Sequence, residues 1–278
     1  MSSSTALRLV GADALALLHR ISTNALGDLS RGQVRATLFC DFRGRLLHRA
    51  VVGVTADTSV WLVRDDAPGV ELAAFLDRHI FRDDVRIEDR SASLPVRLAD
   101  DAVGLAPRTL SERDGVPVAL HVTAGEVFSV GGEAEAAAPT DREAAERLRI
   151  LAGRPAHGHE IVEAFTPFEV GLAHEVHLDK GCFTGQEVLM RLITYRSVRR
   201  RLARMGGPGA APAVPAELHS DGRPAGLLTS AVDDGDRWIG LAVLRNEVCE
   251  APVALGLPDG GLIGPPEPLA PTRPLGRG

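Results

Sequence analysis

Two stretches rich in Gly, Ala and Pro interrupt the chain and limit how much of it can fold as one continuous unit. They are residues 131–140 (GGEAEAAAPT) and 206–215 (GGPGAAPAVP), and neither carries apolar residues at a helical or strand period. Such stretches are typical of loops and linkers. The breaks predict an N-terminal region at 1–132, a central segment at 133–205, a C-terminal module at 206–265 and an extended tail at 266–278.

The hydrophobic patterns on either side of the breaks predict an α+β protein. Leu72, Phe75 and Leu76 recur at the spacing of an amphipathic helix, whereas residues 116–122 alternate between apolar and other positions as a strand does. After the second break, short apolar runs at 217–219, 225–230 and 238–243 are separated by turn residues. Short strands with such spacing are typical of a small β-barrel or sandwich, which we predict for the C-terminal module.

Composition excludes several classes of protein. Of the 278 residues, 45% are hydrophobic, which is enough for packed cores and argues against disorder. No apolar run is long enough to span a membrane and the first residues do not have the pattern of a signal peptide, so a cytoplasmic protein without membrane contact is expected. A formal net charge of −6 makes direct nucleic-acid binding an unfavoured prediction.

The three cysteines, Cys40, Cys182 and Cys249, are too far apart in sequence to form a Cys-x-x-Cys pair. An odd number of widely spaced cysteines does not indicate a disulfide framework or a local zinc site, and no metal is expected. Cys182 differs from the other two because it stands in the segment KGCFTGQE, residues 180–187, beside Lys180. Lys180 is the only lysine, since the other thirty basic residues are arginines.

The segment KGCFTGQE also has the pattern of a helix start. Thr184 and Glu187 have the spacing of a capping box, which places Cys182 just before a helix N-terminus. A helix start and a nearby ammonium both favour a thiolate, so Cys182 and Lys180 are the candidate catalytic residues. Gly181 and Gly185 would let the backbone turn tightly or approach a ligand. The alternative, that Cys182 is a small buried residue beside an ordinary cap, stays open at this point.

The same eight residues resemble the K-G-C-aromatic-x-G-Q-E signature of the folate-binding YgfZ family, which is related to the glycine-cleavage aminomethyltransferase. The stretches 148–153, 158–160 and 166–172 are also similar to the region that precedes this signature in both branches. The resemblance implies a three-domain ring around a central channel for tetrahydrofolate, with a small C-terminal β-barrel. It further implies that Glu169, in the Thr-Pro-x-Glu position, binds the pterin.

The resemblance extends to other residues and includes one departure. Gly181, Gly185, Gln186 and Glu187 are implied to line or hold the folate site, and Arg196 is a further candidate for cofactor binding. Where the aminomethyltransferase places a proton-transferring Asp, the chain has His48 and Arg49, which puts aminomethyl transfer in doubt. The basic run that includes Arg196 and Arg200 could attract the anionic tail of folate or could be a solvated strand face.

Three functions remain possible from the sequence. The first is a YgfZ-type accessory protein that acts with tetrahydrofolate in the maturation or repair of iron–sulfur enzymes, including tRNA-modifying ones, with those enzymes or their assembly factors as partners. The second is a tetrahydrofolate-dependent aminomethyltransferase or a related one-carbon transferase. The third is a folate-binding scaffold without a role for the Cys182 thiol.

Overall fold

The protein is described by a computed structural model. The structure describes residues 4–56, 59–99, 105–132, 142–250, 255–257 and 263–276. It is an α+β protein with three antiparallel sheets and short helices. The strands are β1 Thr5–Val10, β2 Val34–Cys40, β3 Leu46–Ala56, β4 Ser59–Arg64, β5 Arg86–Asp89, β6 Val96–Ala99, β7 Thr109–Arg113, β8 Val116–Thr123, β9 Glu126–Val130, β10 Arg200–Pro208, β11 Ala216–Ser220, β12 Arg223–Asp234, β13 Arg237–Arg245 and β14 Glu267–Pro268. The α-helices are α1 Ala14–Ile21, α2 Gly69–Asp77, α3 Arg142–Leu151, α4 Gln186–Thr194 and α5 Asn246–Glu250, and Ala173–Glu175 form a 3-10 turn.

The first sheet has the strand order β2-β3-β4-β1-β5 and is buried on both faces. Because neighbouring residues of a strand point to opposite faces, Leu7 and Leu62 pack with helices α1 and α2, while Ala6 and Val63 face the second sheet. The second sheet has the order β6-β9-β8-β7 and contributes Leu120 and other residues to this shared core. The N-terminal region is therefore a layer of helices on a sheet on a second sheet.

The central segment packs between the first sheet and the C-terminal sheet. Phe165, Val170 and Leu189 share one hydrophobic core with Leu46 at the start of β3 and with Leu241 of β13. Burying such side chains contributes roughly 1.5–3 kcal/mol each relative to leaving them exposed. This core fixes residues 161–192, which include KGCFTGQE, against both neighbouring sheets.

The C-terminal sheet has the order β11-β12-β13-β10-β14. The predicted β-barrel is not confirmed, because in the described part of the chain no strand pairing joins the two edges of this sheet. Short segments lie along both sides of the sheet. On one side the two-residue strand β14 pairs with β10 over Ala203 and Arg204, and on the other side His219 of β11 forms a bridge with Gly256. These pairings bond backbone N–H and C=O groups that an open sheet edge would leave unpaired, which barrel closure would also have done. The ring around a central channel likewise stays a prediction.

The end of the described chain lies along the segment that leads into KGCFTGQE. Leu275 exchanges backbone hydrogen bonds with Val176 and Leu178, donating over 2.8 Å and accepting over 2.9 Å. The Thr272 hydroxyl donates to the carbonyl of Gly171 over 2.8 Å and accepts from the amide of Ala173 over 3.0 Å. Residues predicted as an extended tail therefore hold the backbone at 171–178.

We expect Thr272→Val to lower the free energy of unfolding by about 1–2 kcal/mol. Valine has nearly the same shape but cannot make the two hydrogen bonds of the hydroxyl, and each is worth about 1 kcal/mol. Urea denaturation measures the change. Thr194→Val serves as the control because Thr194 is exposed at the last position of α4. Equal effects of the two substitutions would contradict the role of Thr272.

Candidate functional site

Lys180 is held against the C-terminal end of α1 by reciprocal hydrogen bonds with His19. Its ammonium donates to the carbonyl of His19, and its own carbonyl lies 3.0 Å from His19 Nε2. The other ring nitrogen of His19, Nδ1, accepts from the amides of Leu26 and Gly27, both over 3.0 Å. Since amides only donate, Nε2 carries the ring proton and donates to Lys180. His19 therefore joins three segments, a role that its sequence context did not predict.

The surroundings of Lys180 account for an ammonium at this position. Nζ lies 5.1 Å from the centre of the Phe183 ring, an arrangement in which the ring face attracts the charge. Partial burial lowers the pKa of Lys180 to about 8. A compact ammonium fits this half-buried slot, whereas the five donors of a guanidinium would be harder to satisfy there.

Cys182 is exposed, which excludes the interpretation that it is a small buried residue. The predicted capping box is wrong: α4 begins at Gln186, its N-cap is Gly185, and among the described residues no side chain caps it. Gly185 has a φ of 83°, so the residue before the helix is left-handed, a conformation that glycine adopts easily and threonine does not. The N-cap is therefore Gly185 and not the predicted Thr184. No hydrogen bond in the described chain joins Cys182 to the Lys180 ammonium, which donates to His19 instead.

The rest of KGCFTGQE holds the loop in place. The side-chain amide of Gln186 donates from Nε2 to the carbonyl of Leu178 over 2.9 Å and so joins the two ends of the loop. Glu187 is exposed and pairs with Arg191 one turn along α4. A Cβ atom on Gly185 would lie 2.5 Å from the carbonyl oxygen of Asp41, so the backbone approach here is to the turn at 41–45. Gly181 also has a positive φ, of 106°, but faces open space.

Glu169 is buried and is partnered by arginines and by its own loop. One carboxylate oxygen, Oε2, accepts from the amide and hydroxyl of Thr166 over 2.9 and 3.0 Å. The other, Oε1, accepts from Nε of Arg200 over 2.7 Å, and Arg45 lies 3.6 Å from Oε2. Arg196, predicted as a folate contact, is exposed with a φ of 48° just after α4. Within the basic run, it is therefore Arg200 and not Arg196 that contacts Glu169.

His48, which the resemblance sets where the aminomethyltransferase has its proton-transferring Asp, lies in a buried environment that makes it a poor base. The ring is buried, stacked on His157 at 5.6 Å between ring centres, and edge-on to Phe75. Burial, together with the nearby charge of Arg64, lowers the pKa of His48 to about 3. The ring is therefore neutral near pH 7, and its Nδ1 can only accept from the Arg64 guanidinium, 3.4 Å away.

Arg49, the next residue, is locked between two buried carboxylates. Its guanidinium donates to both oxygens of Glu126 over 2.7 and 2.9 Å and to both oxygens of Glu175 over 2.6–3.0 Å. Burial alone would lower the pKa of Arg49, but the two carboxylates raise it well above its usual value. For Glu126 burial acts in the opposite direction and raises the pKa, but its arginine partners, Arg49 above all, bring that pKa below its usual value. The sequence did not predict this network, because its three members lie far apart in the chain.

A small polar cavity lies beside the Arg49 network. It is lined by Arg49, Arg64, Asp65, Asp66 and Arg154 among others and has a volume of about 10 Å³. This is room for about one water molecule, so the cavity cannot take the pterin ring of a folate. Burial raises the pKa of Asp65, whereas the partners His157 and Arg154 lower that of Asp66 despite its burial.

Two further observations limit the chemistry of the described residues. No group of three or more His, Cys, Asp or Glu side chains within them could hold a metal ion. Nor does any helix among them have the length and apolar character needed to cross a membrane.

Comparison with known proteins gives matches at both the sequence and the fold level. Residues 1–97 match the family model described as the GCVT N-terminal domain. A protein of Arabidopsis thaliana, named as a chloroplastic transferase, is 38% identical over 117 residues, which cover 41% of this chain and 27% of that protein. The aminomethyltransferase of Caldanaerobacter subterraneus is 25% identical over 281 residues, covering 86% of this chain and 74% of the enzyme.

Among solved structures, the glycine cleavage system aminomethyltransferase T of Bartonella henselae superposes with a TM-score of 0.74. The match covers 96% of this chain and 82% of that one at 16% sequence identity, and so shows a shared fold. Taken with the N-terminal domain match and the curated relatives, it supports placing this chain in the GcvT-like superfamily.

Proposed function

We propose that this protein is a folate-binding accessory factor of the YgfZ type, which acts with tetrahydrofolate in the maturation or repair of iron–sulfur enzymes, including tRNA-modifying ones. The observation that carries the proposal is the pair His48 and Arg49. Aminomethyl transfer needs a group that handles a proton at this place, but His48 has a pKa of about 3 and Arg49 is bound by two carboxylates. The KGCFTGQE motif, with its exposed Cys182, supports the YgfZ branch.

The carboxylate of Glu169 has one free acceptor position for a folate, and a second only if Arg200 moves. Thr166 uses both acceptor positions of Oε2, but Oε1 has one position left beside its bond to Arg200. Glu169 can therefore accept one hydrogen bond from a pterin N–H directly. A contact with two parallel hydrogen bonds requires Arg200, whose side chain is about one third exposed, to swing away.

The arginines beside Glu169 give its surroundings a positive charge. Arg45 and Arg200 both donate to the carbonyl of Ala164, over 3.0 and 3.3 Å, and remain partly exposed. Their guanidiniums would attract an anionic folate towards the site. When bound, tetrahydrofolate would supply a carrier for one-carbon groups.

Cys182 is proposed as the thiol that acts on partner proteins. Its exposure lets it reach a partner, while the Lys180–His19 contacts and the Gln186 side chain hold the loop that presents it. Gly181, Gly185 and Glu187 would help to keep the loop and the start of α4 in this conformation. Lys180 is thus proposed to position the loop.

In a strain that depends on this protein, Cys182→Ser should abolish most of its contribution to the activity of iron–sulfur enzymes. The reason is that a hydroxyl cannot replace a thiol in exchange or sulfur transfer. Enzyme activities in cell extracts, at matched protein levels, measure the effect. Cys249→Ser is the control, because Cys249 is half-buried in the short helix α5 and has a pKa raised by burial. Full activity of Cys182→Ser would contradict the thiol role.

A second function, tetrahydrofolate-dependent aminomethyl transfer, is favoured by the curated relatives, several of which are named aminomethyltransferase. It predicts formation of methylene-tetrahydrofolate from an aminomethylated carrier. An assay with purified protein decides between the two, since sustained turnover would replace the accessory function by the transferase.

A further inference from the structure

The turn at 41–45 packs on the start of helix α4, which begins four residues after Cys182. The turn packs on the start of the helix: a Cβ atom on Gly44 would lie 3.1 Å from Leu189, and one on Gly185 would lie 3.0 Å from the Cα atom of Gly44. Cys182 precedes Gly185 by three residues, a stretch that spans at most about 11 Å. Cys182 therefore lies at most about 11 Å from Gly185, the residue on which the turn packs.

Two aromatic side chains project from the surface of the turn and α4. Phe42 is 70% exposed and Tyr195, directly after α4, is 75% exposed, in a chain with only 4% aromatic residues. Ile193, on the last turn of the helix, is also exposed. From Gly185 to Tyr195 the helix rises about 15 Å, so the apolar groups and the thiol fit within the area of one ordinary protein interface. Exposed aromatic groups of this kind mark interaction sites more often than isolated apolar residues do.

The charge of the surface is positive, against the net charge of −6 for the chain. Arg43, Arg196 and Arg199 are exposed, and none of the three has an ion pair among the described residues. The guanidinium of Arg43 instead lies 5.1 Å from the centre of the Phe42 ring. Exposed carboxylates are also present: Glu187 pairs with Arg191, and Glu163 directly precedes Ala164, whose carbonyl accepts from Arg45 and Arg200.

We propose that this surface, comprising Phe42, Arg43, Tyr195, Arg196 and Arg199 around Cys182, docks an acidic protein segment that carries apolar side chains. The partner would neutralise the unpaired guanidiniums and cover Phe42 and Tyr195, the residue types that dominate binding energy at protein interfaces. A nucleic acid is the less favourable occupant, because the net charge of −6 repels its dense backbone charge more strongly than a segment with a few carboxylates, and the exposed Ile193 suits an apolar side chain. The proposal rests on the proposed function only in taking Cys182 as the thiol that is presented.

A disulfide-exchange assay tests the proposal without a known partner. The probes are two short peptides with the same apolar residues and one cysteine joined to 5-thio-2-nitrobenzoate, one flanked by Asp and Glu and the other by Lys. The Cys182 thiolate attacks the peptide sulfur, the disulfide bond breaks, and the electron pair leaves with nitrothiobenzoate, whose colour reports the rate. The disulfide is the oxidant, and the thiol proton passes to solvent. A Cys249→Ser background leaves Cys182 as the reacting thiol, since Cys40 is buried.

We expect the acidic peptide to react at least tenfold faster than the basic peptide at low salt, with the advantage shrinking as ionic strength rises. The double substitution Phe42→Ser and Arg43→Glu should reduce this advantage at least threefold. The matched control is Phe81→Ser with Arg82→Glu, which alters a second exposed Phe-Arg pair outside the proposed surface. The control variant should retain the full advantage.

Several results would overturn the proposal. Equal rates for the two peptides, or equal effects of the two double substitutions, would show that the surface does not select acidic segments. Binding of a uridine oligonucleotide that is lost with Phe42→Ser, without an acidic-peptide advantage, would assign the surface to nucleic acid. A dimer in sedimentation that dissociates with Phe42→Ser would assign it to a second copy. If Cys182→Ser kept full activity in the cellular assay while the acidic peptide still reacted faster, the proposed function would be wrong and the docking surface would stand.

Discussion

Replacing Arg49 with methionine is expected to lower the free energy of unfolding by about 3–5 kcal/mol. The substitution keeps a long apolar stem but leaves the carboxylates of Glu126 and Glu175 buried without the guanidinium that neutralises them. Breaking a buried ion pair by removing one partner typically costs this much, because the remaining charge is uncompensated. Chemical denaturation of the two proteins at pH 7 measures the difference.

The pH dependence of this difference identifies its cause. In the wild type, Arg49 keeps the pKa of Glu126 below its usual value, so the stabilisation is present at neutral pH and is lost as pH falls through the lowered pKa. In the variant, Arg49 no longer opposes the burial that raises the pKa of Glu126, so the variant gains stability relative to the wild type as pH falls. The difference should therefore shrink towards pH 5. Adding Glu126→Gln and Glu175→Gln should recover most of the loss at pH 7, and a loss that is independent of pH and of these substitutions would contradict the account.

Gly185→Ala is expected to destabilise the protein by about 2–5 kcal/mol. A φ of 83° costs an L-residue roughly 1–2 kcal/mol, and the new Cβ atom would lie 2.5 Å from the carbonyl oxygen of Asp41. The clash is with backbone, so the turn at 41–45 must move away from α4, which adds about 1–3 kcal/mol of overpacking.

Gly209→Ala separates the two contributions to this loss. Gly209 has the same φ of 83°, but a Cβ atom added there would meet no other atom within 4 Å, so its substitution should show the backbone cost alone. Thermal and urea denaturation of both variants measures the contribution of the contact with the turn. If the two substitutions cost the same, the turn does not press on Gly185 as the structure indicates.

Much of the fold follows from local patterns in the sequence. The helical spacing of Leu72, Phe75 and Leu76 and the alternation along 116–122 correspond to α2 and β8, because one face of each element is buried. The predicted barrel is not confirmed in the described residues, where no pairing joins the edge strands β11 and β14, and pairing between distant edges is not encoded by any local pattern. The capping-box spacing at Thr184 was misleading because Gly185 enters α4 in a left-handed conformation.

The candidate site was only partly predictable for the same reason. The scarcity of lysine drew attention to Lys180. Nothing in the sequence around His19 indicated that His19 would exchange two hydrogen bonds with Lys180. Whether Cys182 is exposed or buried could not be predicted, because it lies in a loop where no helical or strand period applies. Glu169 was singled out by resemblance, whereas its partner Arg200 is 31 positions away and became evident only from their hydrogen bond.

The central claim, that this GcvT-like protein binds tetrahydrofolate at Glu169, is tested most directly by calorimetric titration under anaerobic conditions. We expect saturable binding to the wild type and an affinity at least tenfold lower for Glu169→Ala, since the lost hydrogen bonds to a charged group are worth about 1.5–3 kcal/mol. Glu163→Ala, which alters an exposed carboxylate nearby, is the control and should bind as the wild type does. Absence of binding by the wild type, or unchanged binding by Glu169→Ala, would contradict the account.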